Sequence, residues 1–182
     1  LNAQSVRINE FMALNSTTLA DKDGDYSDWL ELHNPTTAGV NLAGWSLTDD
    51  VSDPRKWNIP AINLEPQSYL VLFLSGKNND GAELHTNFKL NGKGEYLALF
   101  DAAGAIASEF APAFPEQQSD ISFAYLDGDY ILSTTPTPGQ ENKFESHTML
   151  APPHFSHTRG FYDSAFSVQL STALGNADIY YT

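Results

Sequence analysis

The chain has 182 residues, with 23 Asp plus Glu against 9 Lys plus Arg, a formal net charge of -14 and no cysteine. That acidity excludes nucleic-acid phosphate and anionic lipid as main partners, because both repel such a surface. The missing cysteines exclude a disulfide framework, a thiolate zinc site and a cysteine nucleophile.

With 41% apolar and 12% aromatic residues the chain can fill a core. No stretch approaches the roughly 18 apolar residues of a membrane-spanning helix, so membrane insertion is not expected. No pattern of i, i+3, i+4 and i+7 apolar positions is sustained for the length of a helix, and 12 Gly and 10 Pro cut the sequence into short pieces. The pieces read as strands. Residues 6–11 alternate, and residues 29–33 alternate with Leu30 and Leu32 on one face. Residues 45–47 and 56–59 follow, then the continuous apolar run Tyr69 to Leu74, expected to be a core strand. Residues 88–90 and 95–100 flank Asn91-Gly92, and residues 121–125 and 130–132 flank Asp127-Gly128. Both dipeptides tolerate positive φ and predict hairpins. Residues 106–110 form a further strand after a turn at Gly104. About nine strands with turns between them define an all-β chain, an antiparallel β-sandwich.

Thr135-Pro136-Thr137-Pro138-Gly139 ends this series, since Pro cannot donate to a central ladder. Residues 143–151 read as a linker. Residues 152–182 carry strands at 166–170 and 178–181, a short β-hairpin tail too small for its own core. This tail is expected to be the cut-off start of a second domain, docked on the first sandwich or on another copy.

The most chemical-looking loop is Asp21-Lys22-Asp23-Gly24-Asp25-Tyr26-Ser27-Asp28. Asp21, Asp23, Asp25 and Asp28 form the candidate metal site, with calcium, which takes six to eight oxygens, as the expected cation. The loop departs from the helix–loop–helix calcium pattern, because Gly24 stands at the fourth place and Leu32 at the twelfth. The rival reading is a solvated acidic turn pinned by Asx hydrogen bonds. Asp49, Asp50 and Asp53 read as surface. His147, His154 and His157 cluster in the linker and tail without an element to aim them, and His33 and His85 stand isolated. No nucleophile elbow, phosphate-cradling loop or dinucleotide fingerprint is present, so no catalytic or cofactor-binding residue is assigned. Trp29 and Trp45 are expected in the core, while Trp57 with Tyr26 and Tyr130 are candidates for stacking on a sugar.

The blocks Ile8-Asn9-Glu10-Phe11-Met12-Ala13, Asp28-Trp29-Leu30-Glu31-Leu32-His33-Asn34 and Val40 to Asp49 occur in an informative order. With Leu64-Glu65-Pro66 and the closing Thr137-Pro138-Gly139-Gln140-Glu141-Asn142, residues 5–142 resemble the lamin-tail domain. Gln67-Ser68 departs from that family, which places glycine there, and this puts the turn geometry in question. The resemblance implies an immunoglobulin-like sandwich of the kind found in nuclear lamins and exported bacterial proteins. It also implies an interaction module without catalytic residues, in which Trp29, Glu31, Asn34, Gly44 and Trp45 are structural. The tail, through Pro153 to Ser156, Phe166 to Thr172 and Ala177 to Thr182, is similar to the opening of the chitobiase C-terminal-like β-sandwich. These resemblances imply a non-catalytic tethering or interaction module of a larger exported bacterial protein, extracellular or at the cell surface, with the periplasm as an alternative. Its partner would be a protein or a cell-surface glycan. Two rivals stand beside that reading, a carbohydrate-binding accessory module and an enzyme fragment completed by downstream sequence.

Overall fold

The computed structural model describes residues 6–143, 154–157, 162–165 and 167–171. The chain divides into two compact units, Leu1–Thr148 and Met149–Thr182. The first unit carries β1 (Arg7–Met12), β2 (Asp28–His33), β3 (Val40–Asn41), β4 (Ser46–Thr48), β5 (Trp57–Asn58), β6 (Asn63–Leu64) and β7 (Tyr69–Leu74). It continues with β8 (Asn79–Asp80), β9 (Leu84–His85), β10 (Leu97–Phe100), β11 (Ile106–Phe110), β12 (Ser122–Leu126) and β13 (Asp129–Ser133). In the second unit β14 (His154–Phe155) pairs antiparallel with β15 (Leu170–Ser171). The strand expected at 178–181 lies outside the described residues.

A seven-stranded sheet, ordered β13-β12-β1-β2-β7-β9-β8, packs on a four-stranded sheet ordered β11-β10-β4-β5. Leu30, Leu32, Leu72 and Leu74 from the larger sheet meet Leu47, Trp57, Leu97 and Leu99 from the smaller one in a single buried cluster. Phe11 lies among Phe110, Phe114 and Phe123 with ring centroids 5.1 to 5.7 Å apart and steep interplanar angles, the edge-to-face geometry that aromatic quadrupoles favour. Strict alternation would put Ile8, Glu10 and Met12 on one face. Instead the β1–β2 register shifts between Ile8 and Glu10, and this bulge turns Ile8 and Phe11 toward the core. Glu10 and Met12 then lie on the outer face, opposite Glu31 and Trp29 of β2. That face is not left to solvent: Met12, Trp29 and Phe73 form a second buried cluster beneath Leu19.

The turns divide by chemistry. At Asp127-Gly128 both residues take positive φ, 50° and 106°, and β12 and β13 pair in register around them. The hairpin expected at Asn91-Gly92 does not form. Leu90 donates its N–H to Asp28 Oδ2 at 3.0 Å, and the Phe88 carbonyl accepts the Gly76 N–H at 3.2 Å and the Thr86 hydroxyl at 2.7 Å, so residues 88–90 do not pair with β10. The turn closes later, Gly94 N–H to Asn91 O at 2.8 Å, with Gly94 at φ 92°. A Cβ at Gly94 would collide with the Phe114 carbonyl oxygen.

Gln67 answers the question its position raised. It adopts the left-handed φ of 57° that glycine would take, and its Nε2 donates to the carbonyls of Pro35 at 2.8 Å and Thr36 at 3.0 Å. Those bonds offset the left-handed strain, which costs a non-glycine residue roughly 1–2 kcal/mol. Asn34 works from the other side. Fully buried, it donates Nδ2 to Ala38, Leu64 and Glu65 carbonyls and accepts from Thr36 at Oδ1. Gln67→Ala is therefore expected to destabilise by about 1–2 kcal/mol, and Gln67→Gly by about 1 kcal/mol less, because glycine removes the bonds and the strain together. Chemical denaturation of the two variants checks this; equal losses would mean that the left-handed backbone carries no strain.

Candidate functional site

The acidic loop folds on itself before it meets anything else. Asp21 Oδ1 accepts the N–H groups of Asp23 at 3.0 Å and Asp25 at 2.9 Å, the Asx geometry that Asp favours in turns, and Gly24 turns the chain at φ 86°. The three carboxylates of Asp21, Asp23 and Asp25 converge on one cation, Lys77. Its Nζ lies 2.5 Å from Asp21 Oδ2, 2.8 Å from Asp25 Oδ2 and 3.3 Å from Asp23 Oδ2. The Lys77 hydrogen bond holds the Asp21 carboxyl below its usual range, and the cluster in turn pushes the Lys77 ammonium upward. Asp28 stands apart from this group. It caps Leu90 from the start of β2, and burial pushes its carboxyl up to about 6. Among the described residues no three His, Asp or Glu side chains are disposed to hold a metal ion.

The second acidic group is local chemistry. Asp49 pairs with Lys56 at 2.6 Å. Asp50 Oδ1 accepts from the Ser52 N–H and hydroxyl, which lower its carboxyl.

The most unusual electrostatics lie on the outer face of the larger sheet, where Glu10 and Glu31 stand opposite one another and are wholly buried. A strap of chain after β13 crosses above them and supplies donors. Thr137 N–H reaches Glu10 Oε2 at 3.0 Å, and Gly139 N–H reaches Glu31 Oε2. The sheet supplies the rest: Ser122 Oγ donates to Glu10 Oε1 at 2.5 Å and Asn9 Nδ2 to Glu31 Oε1 at 2.8 Å. Asn142 locks the end of the strap by donating to the Asn9 and Tyr125 carbonyls at 3.0 and 2.8 Å. Burial raises both carboxyls, Glu31 to about 7, against the lowering effect of those donors; the neighbouring Glu10 raises Glu31 further. Beside them His33 stacks on Tyr69 at 4.4 Å and accepts Arg7 Nη2 at Nδ1, 3.1 Å. Burial and then the Arg7 charge lower its imidazole to about 4.

One constellation escaped the sequence. Ser75 Oγ lies 3.0 Å from Nδ1 of the buried His85, and Glu83 Oε2 stands 3.8 Å from Nε2. Ser75 Oγ also accepts the Lys77 N–H at 3.1 Å, and the His85 ring lies against Phe73 at 5.2 Å. Serine, imidazole and carboxylate are thus in order, yet the serine is 7% exposed and the imidazole fully buried, and 3.8 Å is too long for the orienting hydrogen bond of a triad. The aromatic set proposed for sugar stacking does not assemble. Tyr26 is 49% exposed while Trp57 is 6% exposed within the core, and Tyr130 is half-buried against Phe110 and Phe123 with its hydroxyl donating to Ile8 O at 2.5 Å. In the second unit, His157 Nδ1 lies 2.9 Å from Ser156 Oγ, and its ring meets Tyr162 edge-on at 5.9 Å.

These features define an immunoglobulin-like sandwich whose outer face is sealed by its own strap over paired carboxylates. The chain belongs to the lamin tail domain family, whose model matches residues 2–112. No curated protein and no solved structure matches it significantly. The matched stretch ends before β12, so the strap that seals Glu10 and Glu31 lies beyond it.

The raised Glu31 binds its proton more tightly when folded, so its contribution to stability falls as pH climbs from about 4.5 to 7. Asp28 adds to that fall between about 4 and 6. His33, depressed when folded, acts in the opposite sense, and its contribution rises from pH 4 to 6.5. Glu31→Gln removes one falling contribution and leaves the others. Relative to the parent chain, the variant is expected to gain up to about 3 kcal/mol between pH 5 and pH 8. Thermal melts at the two pH values check this; an offset that does not change with pH would place the Glu31 proton elsewhere.

Proposed function

We propose that this domain is a non-catalytic interaction or tethering module of a larger exported multi-domain protein, acting outside the cell or at its surface on a protein or glycan partner. The observation that carries this reading is the use of its buried carboxylates. Glu10 and Glu31, whose perturbed protonation would otherwise mark them as acid–base groups, spend their acceptor capacity on Ser122, Thr137, Asn9 and Gly139 of their own chain. Membership in a family of non-catalytic immunoglobulin-like domains supports the same reading. The likeness of residues 152–182 to the opening of a chitobiase C-terminal-like sandwich favours a multi-domain exported parent. The scattering of Tyr26, Trp57 and Tyr130 favours a protein over a glycan as partner.

Catalysis is tested at the serine–imidazole contact that has a carboxylate beside it, Ser75–His85 with Glu83. The purified chain and Ser75→Ala are expected to hydrolyse p-nitrophenyl acetate at the rate of buffer; turnover that disappears in Ser75→Ala would overturn the non-catalytic reading.

Calcium enters this reading as a competitor of Lys77 for Asp21, Asp23 and Asp25 and not as an addition to the loop. Removing the ammonium leaves three neighbouring carboxylates without a counter-charge. Lys77→Gln is expected to melt roughly 5 °C higher in millimolar calcium than in EDTA, with a smaller shift in the parent chain. Equal shifts would put the ion away from Lys77, and no shift in either protein would end the calcium reading.

A further inference from the structure

We infer that the open edge of β7 accepts an extended apolar peptide with cationic flanks as an added strand; this rests on reading the domain as an interaction module and names its site and partner chemistry. One side of β7 is fully used, paired with β2 from His33↔Tyr69 to Asp28↔Leu74. The other side carries a single pair, Phe73↔His85 with β9. Phe73 O accepts the Thr86 N–H at 2.9 Å on that side. By the alternation of a strand, Tyr69 and Val71 therefore present their N–H and C=O groups to the same edge. Among the described residues neither has a ladder partner there.

The chain does not continue the ladder at this point. Residues leading into β9 stand away from β7 and leave a cleft of about 330 Å³, lined by Leu19, Val71, Phe73, Ala82, Leu84 and Pro138 among others. Backbone groups along one wall and apolar side chains around the rest are the two halves of strand addition: the first supplies affinity and the second selects alternate side chains. The usual protections of an edge are missing, since Tyr69 to Leu74 contains no Pro and no Lys.

Charge selects the occupant. Glu83 lines the cleft and accepts the Lys22 N–H, which brings to its rim the loop whose three carboxylates, Asp21, Asp23 and Asp25, share the single ammonium of Lys77 and so keep a net negative charge. A second copy of a chain with net charge -14 would bring the same anionic rim and be repelled. A peptide with β-branched residues at alternate positions and lysines at its ends satisfies both the lining and the rim.

The probe is acetyl-Lys-Val-Thr-Val-Thr-Val-Lys-amide, titrated into the full 182-residue chain labelled with nitrogen-15. The Tyr69 and Val71 amides are expected to exchange freely in the chain alone and to become protected with peptide. N-methylation of one alternate set of peptide residues is expected to weaken binding at least about tenfold, as loss of two strand hydrogen bonds does, while methylation of the other set is tolerated. Ala82→Lys, on an exposed loop position, is expected to abolish binding. Val71→Pro should remain folded, because the lost N–H has no ladder partner, and should lose the methylation register. Unchanged Tyr69 and Val71 exchange at saturating peptide would overturn the site. So would equal weakening by both methylation sets, or protection in the chain alone that grows with protein concentration. Failure here with ester hydrolysis at the buffer rate leaves the module reading standing; protection together with Ser75-dependent turnover would sink that reading and keep the site.

Discussion

Two carboxylates buried face to face are the constraint to which the rest of this sandwich answers. A carboxylate taken out of water is tolerated only where donors replace its hydration, and the sheet alone cannot supply enough of them. Ser122 and Asn9 satisfy part of the need from neighbouring strand positions. The remainder comes from backbone N–H groups of Thr137 and Gly139, so the chain must return across the outer face after β13. The bulge in β1 serves the same end. Without the shift between Ile8 and Glu10, Glu10 would share a face with Ile8 and point into the apolar core. Core, bulge and strap are one solution to one desolvation problem.

Scarcity of cations shapes the remainder. With 9 Lys plus Arg against 23 acidic residues, several basic side chains hold more than one thing. Lys77 gathers Asp21, Asp23 and Asp25; Lys56 meets Asp49 and also lies 5.5 Å from the Phe88 ring. Arg7 donates to His33 while its guanidinium sits 4.2 Å over the Tyr125 ring. The many carboxylates not served in this way leave the surface anionic, and complementarity then favours cationic partners.

How much of this could be read from the residues depends on the range of the interaction. Local periodicity placed Leu30 and Leu32 in the core and the run from Tyr69 to Leu74 in a central strand, and turn chemistry placed the hairpin at Asp127-Gly128, where positive φ is needed at two adjacent residues. The same logic misplaced a hairpin at Asn91-Gly92, because the competing bond from Leu90 to Asp28 comes from a strand far away in sequence. Alternation puts Glu31 on the face opposite Leu30 and Leu32, but it sets Glu10 beside Ile8, and it reveals neither the bulge that turns Glu10 outward nor the later segment that covers both. Likewise the aspartates of residues 21–25 are legible as a cation-seeking group, while the ammonium that serves them stands 56 positions from Asp21. The immunoglobulin-like fold was visible as an ordered series of blocks; the occupancy of its polar clusters was not, since it is decided by contacts without a local signature.

The strap also sets how the domain responds to load. Its attachments run in series along the chain, from Thr137 on Glu10 through Gly139 on Glu31 to Asn142 on Asn9 and Tyr125. A pull directed from the Asn142 side away from the sheet meets these bonds one after another, like a zipper, whereas the long β1–β2 and β2–β7 ladders share a pull along the strands in shear. The strap therefore peels at lower force than the sandwich tears. Peeling admits water to the two carboxylates, which then ionise freely and oppose reclosure by their mutual repulsion. Tension and proton concentration thus act on the same latch: force opens it, and acid helps it shut.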